Sequence, residues 1–202
     1  MTRRLVGLCA MAVPIWFVCV YVGMASLRPD FRHMNMAISE LGSWDAPHLW
    51  YWNILGYILP GLVIAFLGVS LKAEQHVSGW ASFPFVALTL SGLFLALAGV
   101  FPADMDNRLS TTTVVHYVGS LGSGVAFILA AFWLPSRFRK SSSWQWLSAP
   151  LLTLAWGLVL SMPIRSTDYP GLGQRVSFGI YFAWIALVGY GLYRSAGKNS
   201  YA

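Results

Sequence analysis

Six apolar runs, each about twenty residues long, decide what this chain can become. They cover residues 5–27, 49–71, 80–101, 113–134, 144–164 and 174–194 of the 202-residue sequence. A helix rises about 1.5 Å per residue, so each run makes roughly 30 Å of helix, the hydrocarbon thickness of a bilayer. Backbone polar groups find no water at that depth, which leaves the helix as the form such runs adopt. The expected fold is therefore all-α, a polytopic bundle of six transmembrane helices forming one domain over residues 1–202. The first run follows Arg3 and Arg4 and could pass for a signal peptide. It is too long for a signal core and no small-residue cleavage site follows, so it reads as an uncleaved first helix.

Charge gives the topology to expect. Charged residues make up 10% of the chain, about half the fraction of a soluble domain. In such a chain the net charge of +6 speaks for membrane orientation and not for nucleic-acid binding. With six spans both termini share a side. Arg3, Arg4, Lys72, Arg137, Arg139, Lys140, Arg194 and Lys198 lie on that side, eight basic residues against five at Arg28, Arg32, Arg108, Arg165 and Arg175. The positive-inside rule then puts both termini in the cytoplasm, in a protein expected in the bacterial inner membrane. Trp44, Trp50, Trp52, Trp80, Trp133, Trp144 and Trp146 cluster at run ends, as an aromatic belt does. Pro14, Pro60, Pro84 and Pro150 fall inside or near helix starts and are candidates for kinks. Cys9 and Cys19 are about 15 Å apart along one helix and cannot bridge each other, so they read as packing residues. The tail from Ser195 to Ala202 is expected to fray.

The acids are distributed more sharply than orientation requires. Asp30, Glu40, Asp45, Asp104, Asp106 and Asp168 lie on the non-terminal side, and only Glu74 on the other. Three of the four histidines, His33, His48 and His116, lean the same way. Acidic residues hardly affect insertion, so this crowding marks the outer end as the place for chemistry.

Four groups there are candidates. Ile38-Ser39-Glu40-Leu41-Gly42 sits in the long first outer loop. Glu40 suits a general acid, a general base or a metal ligand. The plainer reading is a helix start with Ser39 capping and Glu40 favouring the dipole. Phe101-Pro102-Ala103-Asp104 ends the third run, its proline fixing where Asp104 is presented. Against that stands a simple loop start in which Asp104 or Asp106 pairs with Arg108. His116 enters the fourth run by about one turn, with Ser120 and Ser123 on nearly the same face. An imidazole below the interface needs a partner, either Asp104 or Glu40 in a site, or a neighbouring helix in a purely structural role. Gly171-Leu172-Gly173-Gln174-Arg175 opens the sixth run. A cation at a helix start opposes the dipole, so Arg175 calls for an acidic partner or an anionic headgroup held by its forked donors. No nucleophile elbow supports a Ser-His-Asp triad. Glu40, Asp104 and His116 have metal-ligand chemistry but no HExxH-like spacing, so neither metal nor cofactor is expected.

Those four motifs, in that order and placement, resemble the bacterial and archaeal membrane family catalogued as domain of unknown function 998, and the resemblance covers nearly the whole chain. That family resembles, more distantly, the six-helix group of the Frag, DRAM and Sfk proteins. The resemblance implies a six-helix bundle with Ser39, Glu40, Asp104, His116 and Arg175 as family-type positions, and it implies no reaction.

The expectation is an enzyme acting on a lipid or isoprenoid-type hydrophobic substrate, with membrane lipids as its partners. Glu40, Asp104 and His116 are the expected acid/base set. Arg175, Ser39, Trp50, Asn53, Tyr57 and Ser120 are the expected substrate contacts. A terpene-cyclase-like reaction is one form of this, with a carboxylic acid protonating an isoprenoid and aromatic rings stabilising the cation. The rivals are a small-molecule or proton-coupled transporter and a non-catalytic membrane subunit. No inverted repeat supports the first rival.

Overall fold

The computed structural model describes residues 2–166 and 168–198. Six helices are long and apolar enough to cross a membrane: α1 (Arg3–Ser26), α2 (Leu49–Glu74), α3 (Gly79–Val100), α4 (Thr111–Phe138), α5 (Gln145–Arg165) and α6 (Pro170–Lys198). No strand occurs among the described residues. Each helix packs on its chain neighbours, and α1 lies along α6, which closes the ring. Chain ends of helices and short connections alternate between a terminal end, which carries Thr2 and Lys198, and a distal end. Residues 199–202 of the tail lie outside the described residues.

Local chemistry explains where the helices start and stop. The Ser110 hydroxyl accepts the Thr113 N–H, so α4 begins at Thr111, two residues before its apolar run. It continues past Pro135 to Phe138, and the Ser148 hydroxyl bonds to the Pro135 carbonyl at 2.9 Å. Pro170 opens α6 four residues ahead of the apolar run, at a position where a missing N–H costs nothing.

Helix α2 is not regular. Residues Asn53–Ile58 form a π-helical segment in which the Leu59 N–H reaches Ile54 O. The cause follows at Pro60, which has no N–H to give back to the preceding turn. The Leu55 carbonyl instead accepts the indole N–H of Trp16 from α1, at 2.9 Å. A donor lost to proline is thus replaced by a neighbouring helix.

The interior combines rings with glycine contacts. Phe17 of α1 packs against Trp52 of α2 and against Phe178 and Phe182 of α6. Phe127 of α4 meets Tyr181 and Trp184 of α6. Deep in the bundle the Ser91 hydroxyl of α3 lies within reach of Ser123 O and Oγ on α4 and of the Tyr181 hydroxyl on α6. Helices α2 and α3 touch backbone to backbone. A Cβ on Gly92 would sit 2.4 Å from Gly61 O and 2.4 Å from Ala65 N. In a bilayer such close approach supplies packing that the hydrophobic effect cannot. At the terminal end the buried Glu74 carboxylate pairs with Arg3 at 2.6 Å and accepts from Ser195 at 2.5 Å, tying α1, α2 and α6 together.

The glycine contact yields a paired expectation. Gly92→Ala should lower stability by about 1–3 kcal/mol because the new methyl meets backbone that cannot turn aside. Gly124→Ala, on an open face of α4 with nothing within 4 Å, should be neutral or slightly stabilising. Thermal unfolding of both variants in detergent checks the contrast, and equal midpoints would refute the close-approach account.

Candidate functional site

The distal loop, residues 27–48, owes its shape to one buried cation. Arg28 follows α1 and is 7% exposed. Its Nη1 donates to Glu40 O at 2.5 Å, its Nη2 to Asp45 Oδ2 at 2.6 Å, and its Nε lies 3.5 Å from Asp30 Oδ1. The Ser43 hydroxyl lies 2.5 Å from Asp45 Oδ1. Burial raises the Asp45 pKa, but the Ser43 and Arg28 hydrogen bonds and the Arg28 charge outweigh it and hold the carboxyl below its ordinary 3.8. The loop is pinned outside itself as well. Trp44 N–H donates to Ala103 O at 3.0 Å, and the Asn53 Nδ2 of α2 donates to Gly42 O at 2.9 Å.

Glu40 lies in a short 3-10 turn, Ile38–Gly42, and is partly buried. Its Oε1 accepts the Ala37 N–H at 2.7 Å, so Glu40 serves the start of this turn, but Ala37 and not the expected Ser39 holds the cap position. Ser39 beside it is also partly buried. Asp104 behaves similarly. Its Oδ1 accepts the N–H groups of Asp106 at 3.0 Å and Asn107 at 2.9 Å, and its own N–H donates to the Thr113 hydroxyl at 2.7 Å. This Asx-type turn folds the α3–α4 connection onto the start of α4.

His116 is 2% exposed. Its Nδ1 lies 2.8 Å from Ala98 O and 3.1 Å from Phe101 O. Both partners only accept, so Nδ1 carries the proton and the ring serves the two carbonyls where α3 ends. Tyr57 stands between it and Trp52, with ring centroids 6.0 Å and 5.6 Å away. Asn53 and Tyr57 are buried in the π-helical segment, while Trp50 is 47% exposed on the perimeter and Ser120 is exposed on the outside of α4.

Four buried side-chain atoms among the described residues lack a hydrogen-bond partner, Trp52 Nε1, Asn53 Oδ1, Trp184 Nε1 and Arg175 Nη2, and Arg175 is the charged group among them. Its Nε donates to the Tyr21 hydroxyl at 2.6 Å, and its Nη1 to Met36 O at 3.1 Å and Gly171 O at 2.5 Å. The guanidinium carbon lies 5.1 Å from the Tyr21 ring centre and 5.3 Å from that of Phe31. Nη2 is buried and has no partner. Among the described residues the ion pairs are Arg3–Glu74, Arg28–Asp30 and Arg28–Asp45, so no carboxylate answers Arg175.

The four motif residues thus share one end, but among the described residues no hydrogen bond or ion pair joins Glu40, Asp104, His116 and Arg175 directly. Glu40 and Arg175 meet through a peptide group. Arg175 holds the Met36 carbonyl while Glu40 holds the adjoining Ala37 N–H. Gln174 adds to this clamp by accepting the Ile38 N–H at 2.5 Å. Asp104 is linked to the same loop by the Trp44–Ala103 bond, and Asn53 by its bond to Gly42. Sequence reading overlooked Arg28, Tyr21 and His33. A basic residue directly after a span was the one available signal, and it marked only topology. No three His, Cys, Asp or Glu side chains gather among the described residues as a metal would need.

A family model described as "Protein of unknown function (DUF998)" matches residues 10–191. No curated protein and no solved structure matches the chain.

The Arg28–Asp45 pair predicts a specific acid response. A depressed carboxyl pKa gives stability that is complete above 3.8 and fades as pH falls through the lower native value. Asp45→Asn should remove that acid-dependent component, worth about 1 kcal/mol after solvent screening. Trp fluorescence followed between neutral pH and pH 2 measures it, and identical acid profiles for wild type and variant would contradict the assignment.

Proposed function

The chain belongs to the DUF998 family, and from that premise we propose an integral membrane enzyme acting on a lipid or isoprenoid-type amphiphile that carries an anionic group. The distal end receives the substrate and faces outward from the bacterial inner membrane, with both termini cytoplasmic. The observation that supports this reading is the buried Nη2 of Arg175, a cationic donor with no carboxylate and no hydrogen-bond partner. A buried charged donor left open costs more than a neutral one, and a phosphate or carboxylate group would satisfy it with charge-assisted bonds. The rings of Tyr21 and Phe31 beside the guanidinium offer apolar surface for the adjoining part of an amphiphile.

In this reading Arg175 anchors the anionic group. Glu40 supplies the acid/base carboxyl, one peptide group away. His116 and Asp104 fix the ends of α3 and α4 that border the site. A cyclase-like reaction would use the buried rings of Trp52 and Tyr57 toward a developing cation. Trp50, Ser39 and Ser120 are the weaker substrate contacts.

One observation favours a second reading, a non-catalytic subunit. Glu40, Asp104 and His116 each spend a hydrogen bond on backbone. On that account they lock the distal loop and do no chemistry.

Native mass spectrometry of the protein in mixed phosphatidylglycerol and phosphatidylcholine nanodiscs separates the two. Retained phosphatidylglycerol should fall roughly 10–100-fold in Arg175→Gln, the worth of one or two charge-assisted bonds, and be largely kept in Arg175→Lys. Glu40→Gln should bind the lipid normally yet abolish any product formed from prenyl or acyl-lipid substrates. Lipid retention that ignores Arg175 sinks the anchor. A Glu40→Gln protein that loses only thermal stability supports the locking role.

A further inference from the structure

Around the proposed anion anchor lies a hydrogen-bonded chain that the acid/base assignment leaves unused. It runs from Arg175 Nε to the Tyr21 hydroxyl and on to His33 Nδ1. Tyr21 belongs to α1, His33 to the distal loop and Arg175 to α6, so three separate segments build it. The three rings Tyr21, Phe31 and His33 pack edge to face on one another, and Tyr21 and Phe31 lie beside the guanidinium. Tyr21 is partly buried and His33 is exposed. The chain therefore leads from a buried cation to water.

Donor chemistry fixes the direction of the Arg175–Tyr21 bond, while that of the Tyr21–His33 bond follows the imidazole tautomer. Arginine has no acceptor, so Nε–H donates to the Tyr21 oxygen. The phenol has one hydrogen and a second neighbour, Nδ1. In the tautomer protonated on Nε2, the neutral imidazole accepts that hydrogen at Nδ1, and this is the resting state from which the coupling is drawn. In this state the Tyr21 hydrogen is occupied, and the buried Nη2 group is the donor left for an anion.

We infer that Tyr21 and His33 make Arg175 a proton-coupled anion site, at which a phosphodiester-type lipid headgroup binds together with one proton. This rests on the anion anchor proposed above. When His33 takes a proton from water at Nδ1, it becomes a donor to the Tyr21 oxygen. The two lone pairs of that oxygen then accept from His33 and Arg175, and the phenol hydrogen turns to the anion on Nη2. The proton balance is one from bulk solvent to the imidazole. Tyr21 keeps its own, and no covalent bond is made or broken. An anion beside the imidazole favours its charged form, so anion binding and proton uptake reinforce each other. Among the described residues the chain reaches Tyr21 on α1 and, through it, Arg175 on α6, while Asp30 and Arg32 flank His33 in its own loop and Asp168, ahead of α6, accepts at its carbonyl from the loop residue Asn35. His33 forms no ion pair with a carboxylate among the described residues, so the proton it gains is not already claimed.

Calorimetric titration of the full-length protein in detergent tests the coupling. The titrant is dioctanoyl phosphatidylglycerol, whose phosphodiester keeps its charge near neutrality. Runs in two buffers of different ionisation enthalpy count protons exchanged per lipid bound. The expected result is net uptake approaching one proton in wild type. That uptake should be lost in His33→Gln and in Tyr21→Phe, both of which retain binding weakened several-fold. Dimethyl phosphate, the same headgroup chemistry without acyl chains, should bind far more weakly. Arg175-dependent binding without proton uptake, or uptake unchanged in both variants, overturns the coupling and leaves the anchor standing. Binding unaffected by Arg175→Gln overturns the anchor, and the coupling with it. Equal binding of dimethyl phosphate overturns the lipid assignment.

Discussion

Inside a bilayer every backbone carbonyl without an intrahelical partner must find a donor in the protein, because no water will supply one. Much of the polar inventory of this chain answers that demand. Trp16 replaces the donor that Pro60 lacks, at Leu55 O. His116 takes up the last carbonyls of α3, and Ser91 reaches Ser123 O across α3 and α4. At the distal end Arg28 holds Glu40 O, Asn53 holds Gly42 O, and Arg175 holds Met36 O and Gly171 O. These side chains are rare in a chain with 10% charged residues, and their bonds decide how helix ends and loops meet. Four buried side-chain atoms escape this accounting, and Arg175 Nη2 is the charged one among them.

That constraint also sorts what the sequence could reveal. Helix number and placement depend on hydrocarbon thickness, which any apolar run of the right length reports. All six spans were legible for this reason, their ends shifting by a few residues where a Ser110 cap or a Pro170 start intervened. The π-helical turn in α2 was not legible. Pro60 signalled a disturbance, but its form depended on Trp16, which lies 39 residues from Leu55.

The site was legible in outline only. Unusual residues in apolar surroundings drew attention to Glu40, Asp104, His116 and Arg175, and topology alone put them at one end. Their partners were a different matter. A carboxylate facing a neighbouring N–H two or three residues away, as in Glu40 and Asp104, looks in sequence like a carboxylate facing a substrate. Tyr21 and His33 were hidden for the opposite reason. A tyrosine inside a span and a histidine in a loop are ordinary until folding brings the tyrosine to the guanidinium of a residue more than 140 positions away and the histidine to the tyrosine.

The two ends of the bundle solve the same problem in opposite ways. At the terminal end the lone acid, Glu74, is neutralised by Arg3 and capped by Ser195, so a buried charge has been matched and the helix ends are closed. At the distal end the six acids outnumber the cations, yet Asp30 and Asp45 face Arg28, Glu40 and Asp104 bond to backbone, and among the described residues no ion pair joins an acid to Arg175. The clamp on the Met36–Ala37 peptide explains how such a mismatch persists. Glu40 draws on the N–H of that peptide while Arg175 draws on its carbonyl, so the carboxylate steadies the cation through a polarised amide without pairing with it. A direct salt bridge would have filled the donors that now remain open. Electrostatic support without neutralisation is the arrangement by which the fold tolerates a cation whose Nη2 has no partner.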